Sequence, residues 1–136
     1  MKKNMETYIK ILHWTPRIIC ILAILFISMF ALDAFSPELS IWQQISDFFI
    51  HLIPSYILIA ILTIAWKREF VGGVFFTILG LGLSPFIFLH NYHMNHSVAM
   101  SLGILLAITF PFVLVGILFI LSYFKKIKWM ETHNLV

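Results

Sequence analysis

The sequence predicts an all-α integral membrane protein, a bundle of four spanning helices with both termini on the cytoplasmic side. Three observations predict it. Of 136 residues, 61% are hydrophobic and only 11% charged, with a mean hydropathy of +0.99; a soluble domain runs about 45–50% apolar and about 25% charged. All nine Lys and Arg fall in three clusters: Lys2, Lys3, Lys10 and Arg17 before the first apolar run, Lys67 and Arg68 between the second and third, and Lys125, Lys126 and Lys128 after the fourth. The connections around Glu38 and His93 contain none, and an excess of Lys and Arg marks cytoplasmic loops, which fixes the threading as N-in, C-in. The four tryptophans supply the third observation. Trp14, Trp66 and Trp129 fall at the predicted cytoplasmic boundary and Trp42 at the outer one, as interface anchors of an aromatic belt.

A span needs roughly 20 apolar residues to cross about 30 Å of hydrocarbon, so four of them use most of the chain and make residues 1–136 one membrane domain. Residues 4 to 14 mix Tyr8, Ile9, Ile11, Leu12 and Trp14 with Glu6 and Lys10, the pattern of an interfacial helix. Thr15-Pro16 then reads as N-cap and first helical position of the first span, about 17–35. The long apolar run, with Asp33 at the only candidate cleavage position, reads as an uncleaved span and not a signal peptide. Ser36-Pro37-Glu38 repeats the cap, Pro and early-acid signal. It predicts an amphipathic outer-surface helix over about 37–50 whose apolar stripe is Ile41, Trp42, Ile45, Phe48, Phe49 and Leu52. That helix leads into the second span, about 48–66, with Pro54 as a kink. Lys67-Arg68-Glu69 is a tight cytoplasmic turn.

The third span, about 70–89, carries Gly73, Thr77, Gly80 and Ser84 on one face, and the fourth, about 98–124, carries Ala99, Gly103 and Ala107. Lipid gives helices no hydrophobic reason to associate, and small residues let backbones approach closely. These two faces are therefore expected to meet as an antiparallel pair. Gly72-Gly73 is assigned to close packing or a bend beside the turn.

The chemistry available to such a chain is narrow. No ionisable side chain other than Cys20, Tyr56 and Tyr123 occurs between Arg17 and Asp33, His51 and Lys67, Glu69 and His90, or His96 and Lys125. Proton relays and ion pathways place such groups at mid-membrane depth, so an ion-coupled carrier is not expected. Ser28, Thr63, Thr77, Ser84 and Thr109 are expected to bond the carbonyls of their own helices. No nucleophile elbow, phosphate-binding glycine loop or His-Glu-x-x-His is present, so no enzymatic activity is expected. The basic excess sits beside the spans, where topology and anionic lipid explain it without nucleic acid. One cysteine, Cys20, allows no intrachain disulfide.

The unusual polar groups gather at the predicted outer face. His90, His93 and His96 lie at i, i+3 and i+6, and His51 is expected at similar depth with Asp47 four residues before it, placed to orient the ring. Ser40, Gln44, Asp47, His51 and Ser55 form a polar stripe that Asp33 would extend. One reading is a transition-metal or haem site at His51, His90, His93 and His96, with Asp47 behind. The other takes these residues as boundary residues that tolerate turns and headgroup contact, with no cofactor. His-x-x-His without a completing Cys or Glu does not specify a metal.

The runs Trp14-Thr15-Pro16-Arg17, Asp33-Ala34-Phe35, His51-Leu52-Ile53-Pro54, and Ala65-Trp66 with Glu69 and Gly72-Gly73 resemble a group of small, functionally uncharacterised four-span bacterial membrane proteins, over about residues 14–124. The resemblance implies a bacterial inner-membrane protein without an assigned activity and transfers no site residue. The reading is a non-enzymatic multi-pass accessory protein that meets lipid and a membrane partner or its own copies. The alternatives are the outer-face metal or haem protein and an oligomeric small-solute carrier with a polar cavity along Ser40 to Ser55.

Overall fold

The computed structural model describes residues 2–132, with side chains from residue 4; the side chains of Lys2 and Lys3 lie outside that range. Five α-helices follow in order: α1 (Lys2–Met29), α2 (Ile41–His51), α3 (Ile53–Lys67), α4 (Glu69–Asn95) and α5 (Val98–Thr132), with a short 3-10 helix (Phe30–Ala34) after α1. They make four segments long and apolar enough to cross a membrane, Asn4–Ala34, Ile41–Lys67, Glu69–Asn95 and Val98–Thr132. Among the described residues there is no β-strand.

The main packing is α4 against α5, with α1 on α5 and on α3, and α3 on α4. Phe76 of α4 is fully buried with its ring parallel to those of Phe112 and Phe119 of α5, at centroid distances of 6.4 and 6.2 Å. Beside it the backbones touch. A Cβ on Gly73 would lie 2.7 Å from the Gly116 carbonyl oxygen, and one on Gly116 2.3 Å from the Thr77 hydroxyl. Gly80 packs on Val113 in the same way.

The α4 half of the expected seam is thus Gly73, Thr77 and Gly80, while Ser84 bonds back to the Gly80 carbonyl. The α5 half is corrected. Ala99, Gly103 and Ala107 are exposed, and a Cβ on Gly103 would meet nothing within 4 Å. The buried face of α5 runs instead through Ser101, Thr109, Phe112, Gly116 and Phe119. Its large aromatics fill the gap between α4 and α1, and that volume fixes the rotation of α5 more firmly than the small stripe does.

Other boundaries also shift. α1 runs unbroken through Pro16 instead of starting there. The ring leaves the Leu12 carbonyl without its usual helical donor, while Thr15 Oγ1 donates to the Ile11 carbonyl and the Arg17 guanidinium to that of His13 on either side. α2 begins at Ile41, not Pro37, because Ser40 closes a capping box with Gln43. Gln44 Nε2 then holds the Ser36 and Leu39 carbonyls. α2 buries no residue, and Ile41 and Trp42 of its apolar stripe are 74% and 79% exposed. The chain breaks at Leu52, two residues before Pro54, whose missing N–H and bulky ring suit the first turn of α3. α4 continues past residue 89 to Asn95, so His90 and His93 are helical. His96 ends the helix at φ 51°, its N–H bonded to the Tyr92 carbonyl at 2.9 Å, a left-handed position that His adopts more readily than most residues. α5 continues to Thr132.

All five span hydroxyls behave as expected. Ser28, Thr63, Thr77, Ser84 and Thr109 bond the carbonyls of Ile24, Ile59, Gly73, Gly80 and Leu105. Ser28 also pairs across helices with the buried Ser55, 2.9 Å away.

The seam makes a direct prediction. Gly116→Leu should lower the melting temperature in mild detergent by several degrees or abolish a monodisperse peak, since overpacking costs about 1–3 kcal/mol or more. Gly103→Leu should keep the melting temperature and remain monodisperse. Fluorescence-detected size exclusion after a temperature series separates the two.

A candidate functional site at the basic end

The α3–α4 hairpin turns on one residue, Arg68, which is extended at φ −134° and ψ 82°. So tight a reversal needs the helices to touch beside it. Gly72 permits that, since its Cβ would sit 2.2 Å from that of Ala65. The consequence is that Glu69, the first residue of α4, is carried into the bundle and is only 9% exposed.

A buried carboxylate is costly unless its oxygens are satisfied, and three helices supply the partners. Arg17 Nη2 of α1 donates to Glu69 Oε1 at 2.9 Å, and Lys126 Nζ of α5 donates to the same oxygen at 2.6 Å. His13 Nδ1 lies 2.7 Å from it, and Ser122 Oγ donates to Oε2 at 3.1 Å. Lys126 Nζ also contacts His13 Nδ1. That nitrogen is satisfied in either tautomer, donating to Glu69 or accepting from Lys126.

Arg17 is the most enclosed charge, at 1% exposure. Its Cζ lies 5.3 Å from the Trp66 ring and 5.2 Å from that of Phe119, so two aromatic faces replace part of its hydration. Trp14 stands edge-on to Trp66 at 6.2 Å. The cluster therefore engages α1, α3, α4 and α5 at one end. A carboxylate with this many donors is poorly suited to accept a substrate proton, because doing so would dissolve its own ion pairs; the geometry is that of a clamp.

Beside the clamp opens a recess of about 460 Å³, bordered by Trp66, Lys67, Arg68, Phe70, Tyr123 and Lys126 among others. A second cavity, about 630 Å³, lies toward the His-rich end between the helices. Its wall is almost wholly apolar, including Phe30, Leu83, Phe86 and Phe112, with His51 and Thr109 as polar members.

The structure does not bring the sequence-selected histidines together. Among the described residues no three or more His, Cys, Asp or Glu side chains are grouped to hold a metal ion. His51 Nδ1 bonds the backbone carbonyl of Asp47 at 2.7 Å, not its carboxylate. His90 stacks on Phe86, and His96 meets the edge of Tyr92. Helical geometry sets His90 and His93 side by side on α4 where a loop would have let them converge. The polar stripe is likewise consumed locally. Ser40 and Gln44 cap the α2 entry, Ser55 is buried against Ser28, and the break at Leu52 interrupts the rest. Asp33 is exposed on the 3-10 helix.

The buried polar centre at the basic end is a feature the sequence reading did not select. His13 with Arg17 and Ser122 with Lys126 are i, i+4 pairs, which places each pair on one helix face, and Glu69 is the one acid in the Lys67-Arg68-Glu69 turn. Those spacings are a usable signal, but the pairing across 52 to 57 residues is not visible in them.

Fold and cluster together define a small all-α protein of the multi-pass membrane class, closed at its basic end by a buried ionic clamp. The chain belongs to the family described as a domain of unknown function, DUF7670, whose model matches residues 1–130. No curated protein and no solved structure matches it. The family is uncharacterised, which agrees with the resemblance to small uncharacterised proteins.

Removing either side of the clamp should be costly. Glu69→Gln is expected to destabilise by about 3–5 kcal/mol, because it strands the buried Arg17, and Arg17→Met by less, because Lys126 still pairs with Glu69. The double variant should lose less than the sum. Denaturation in detergent micelles across this double-mutant cycle checks the coupling, and simple additivity would mean that Glu69 and Arg17 act independently.

Proposed function

We propose that this chain is a non-enzymatic inner-membrane protein of bacterial type, with both termini cytoplasmic, that acts through helix contacts with its own copies or with a membrane partner. One observation carries the reading. Ala99, Gly103 and Ala107 lie at four-residue spacing along the exposed side of α5, and the chain's own bundle leaves Gly103 open. Small residues at this spacing allow close helix approach in lipid, and here the monomer does not use them. Ala107 also borders a shallow apolar recess of about 260 Å³ between α1 and α5, which a neighbouring side chain would fill.

Two further features support the reading. Lys10, Arg17, Lys67, Arg68, Lys125, Lys126 and Lys128 stand at the same end of the bundle, as a cytoplasmic face would have them. The enclosed ionisable groups at that end, Arg17 and Glu69, are engaged with each other and leave no free acid–base pair for catalysis. Lipid is the remaining partner, since the rest of the apolar surface faces outward.

The test substitutes the open stripe while sparing the internal seam. Gly103→Ile should dissociate a homo-oligomer, or lose a co-purified membrane protein, while retaining the wild-type melting temperature. A monomer that binds nothing before and after the change would sink the proposal. Labelling of single cysteines introduced at 3 and 38, in a Cys20→Ser background, is expected to place them on opposite sides of the membrane, with residue 3 inside. For the metal or haem alternative, elemental analysis and an absorption spectrum of untagged protein are expected to show neither; a Soret band or stoichiometric metal lost in His51→Ala would reinstate it.

A further inference from the structure

The recess beside the clamp has a character that the clamp does not use. Lys67, Arg68 and Lys126 border it against one carboxylate, Glu69; that carboxylate is already paired with Arg17 and Lys126, which leaves Lys67 and Arg68 to a ligand. Lys67 and Arg68 are exposed, and neither side chain forms a hydrogen bond or ion pair with the described residues. The first turn of α4 adds to the field. No side chain caps it, and its amides precede the first intrahelical bond, Gly72 N to Arg68 O, so the partial positive charge of a helix N-terminus lies at the same place.

Apart from His13, the remaining walls are apolar. Trp66, Phe70, Val71 and Tyr123 are 45%, 40%, 36% and 37% exposed, at the depth where an aromatic belt meets headgroups. A ligand matching both halves carries an anion at one end and hydrocarbon at the other. Free phosphate would use only the cations, and a neutral lipid only the rings.

We propose that this recess binds the phosphate of an anionic phospholipid, with Arg68 and Lys67 on the phosphate oxygens, Lys126 behind them, and Trp66, Phe70 and Tyr123 against the glycerol and upper acyl chain. Arg68 offers the planar fork suited to two phosphate oxygens, and Lys67 a compact charge beside it. Basic pockets between membrane helices bind such headgroups for this reason. The site goes beyond the helix-contact reading and does not depend on it.

The experiment is native mass spectrometry of the full chain in detergent, titrated with phosphatidylglycerol or with phosphatidylcholine of the same acyl chains. The expected result is one phosphatidylglycerol retained in preference to phosphatidylcholine. Lys67→Ala with Arg68→Ala should weaken that binding about thirtyfold, from roughly a fivefold step per basic residue near a membrane surface. Lys10→Ala with Lys128→Ala removes the same charge outside the recess and should change it by no more than about twofold. Both double variants alter exposed side chains and should keep the wild-type melting temperature. Equal retention of the two lipids, or equal loss in both variants, would show only diffuse attraction and overturn the site. Displacement of the lipid by millimolar inorganic phosphate would assign the cations to a soluble anion and overturn the lipid as its source.

Discussion

Between helices that face lipid, burying one more leucine gains nothing over leaving it in acyl chains, so the bundle depends on close backbone approach and on polar contacts that have nowhere else to go. The approach of Gly73 and Thr77 to Gly116 supplies the first. It brings α4 and α5 near enough for Phe76 to lie between Phe112 and Phe119, and dispersion between flat rings in contact then adds what the hydrophobic effect does not. α1 and α3 pack on this pair through smaller contacts around Cys20, Ile24, Leu58 and Leu62.

Polarity in the bundle is arranged by depth. In the middle, single hydroxyls return to their own helix, a solution that asks nothing of the neighbours, and the Ser28–Ser55 pair is the exception. At the basic end, whole charges are enclosed and must be matched across helices. The matching specifies orientation where the apolar faces are permissive. Arg17 and Lys126 have to reach the same oxygen, so α1 and α5 are fixed in rotation and in height against the start of α4. Packing at the seam and pairing at the end are thus complementary constraints, one on distance and one on register.

The features legible in the sequence were those with a local cause. Hydropathy located four long apolar helices, hydroxyl self-bonding followed from one-turn geometry, and the glycines of α4 were recognisable as a packing face. What failed was relational. The stripe of Ala99, Gly103 and Ala107 looked equivalent to that of Gly73 and Gly80, and only the bulk of Phe112 and Phe119 on the adjacent face decides which one turns inward. Pro16 and Pro37 read as helix starts because proline suits a first turn. At residue 16 the helix continues through the proline, and at residue 37 a better cap three residues later displaced the start. The outer histidines drew attention by their density, whereas Glu69 was hidden by the ordinary look of a charged turn. Burial of a charge is a property of what surrounds it, and one sequence does not print its surroundings.

The clamp also has a history within each molecule's synthesis. Arg17 emerges 52 residues before its carboxylate, and Lys126 a further 57 after that. At about 5–20 residues per second the first interval alone lasts roughly 3–10 s. During that time a full arginine charge stands at the head of the first apolar helix with no acid to meet, and it has to wait at the headgroup level. The carboxylate arrives with α4 and the second cation only with α5, so the full set of ion pairs is complete only once every helix of the bundle has been made.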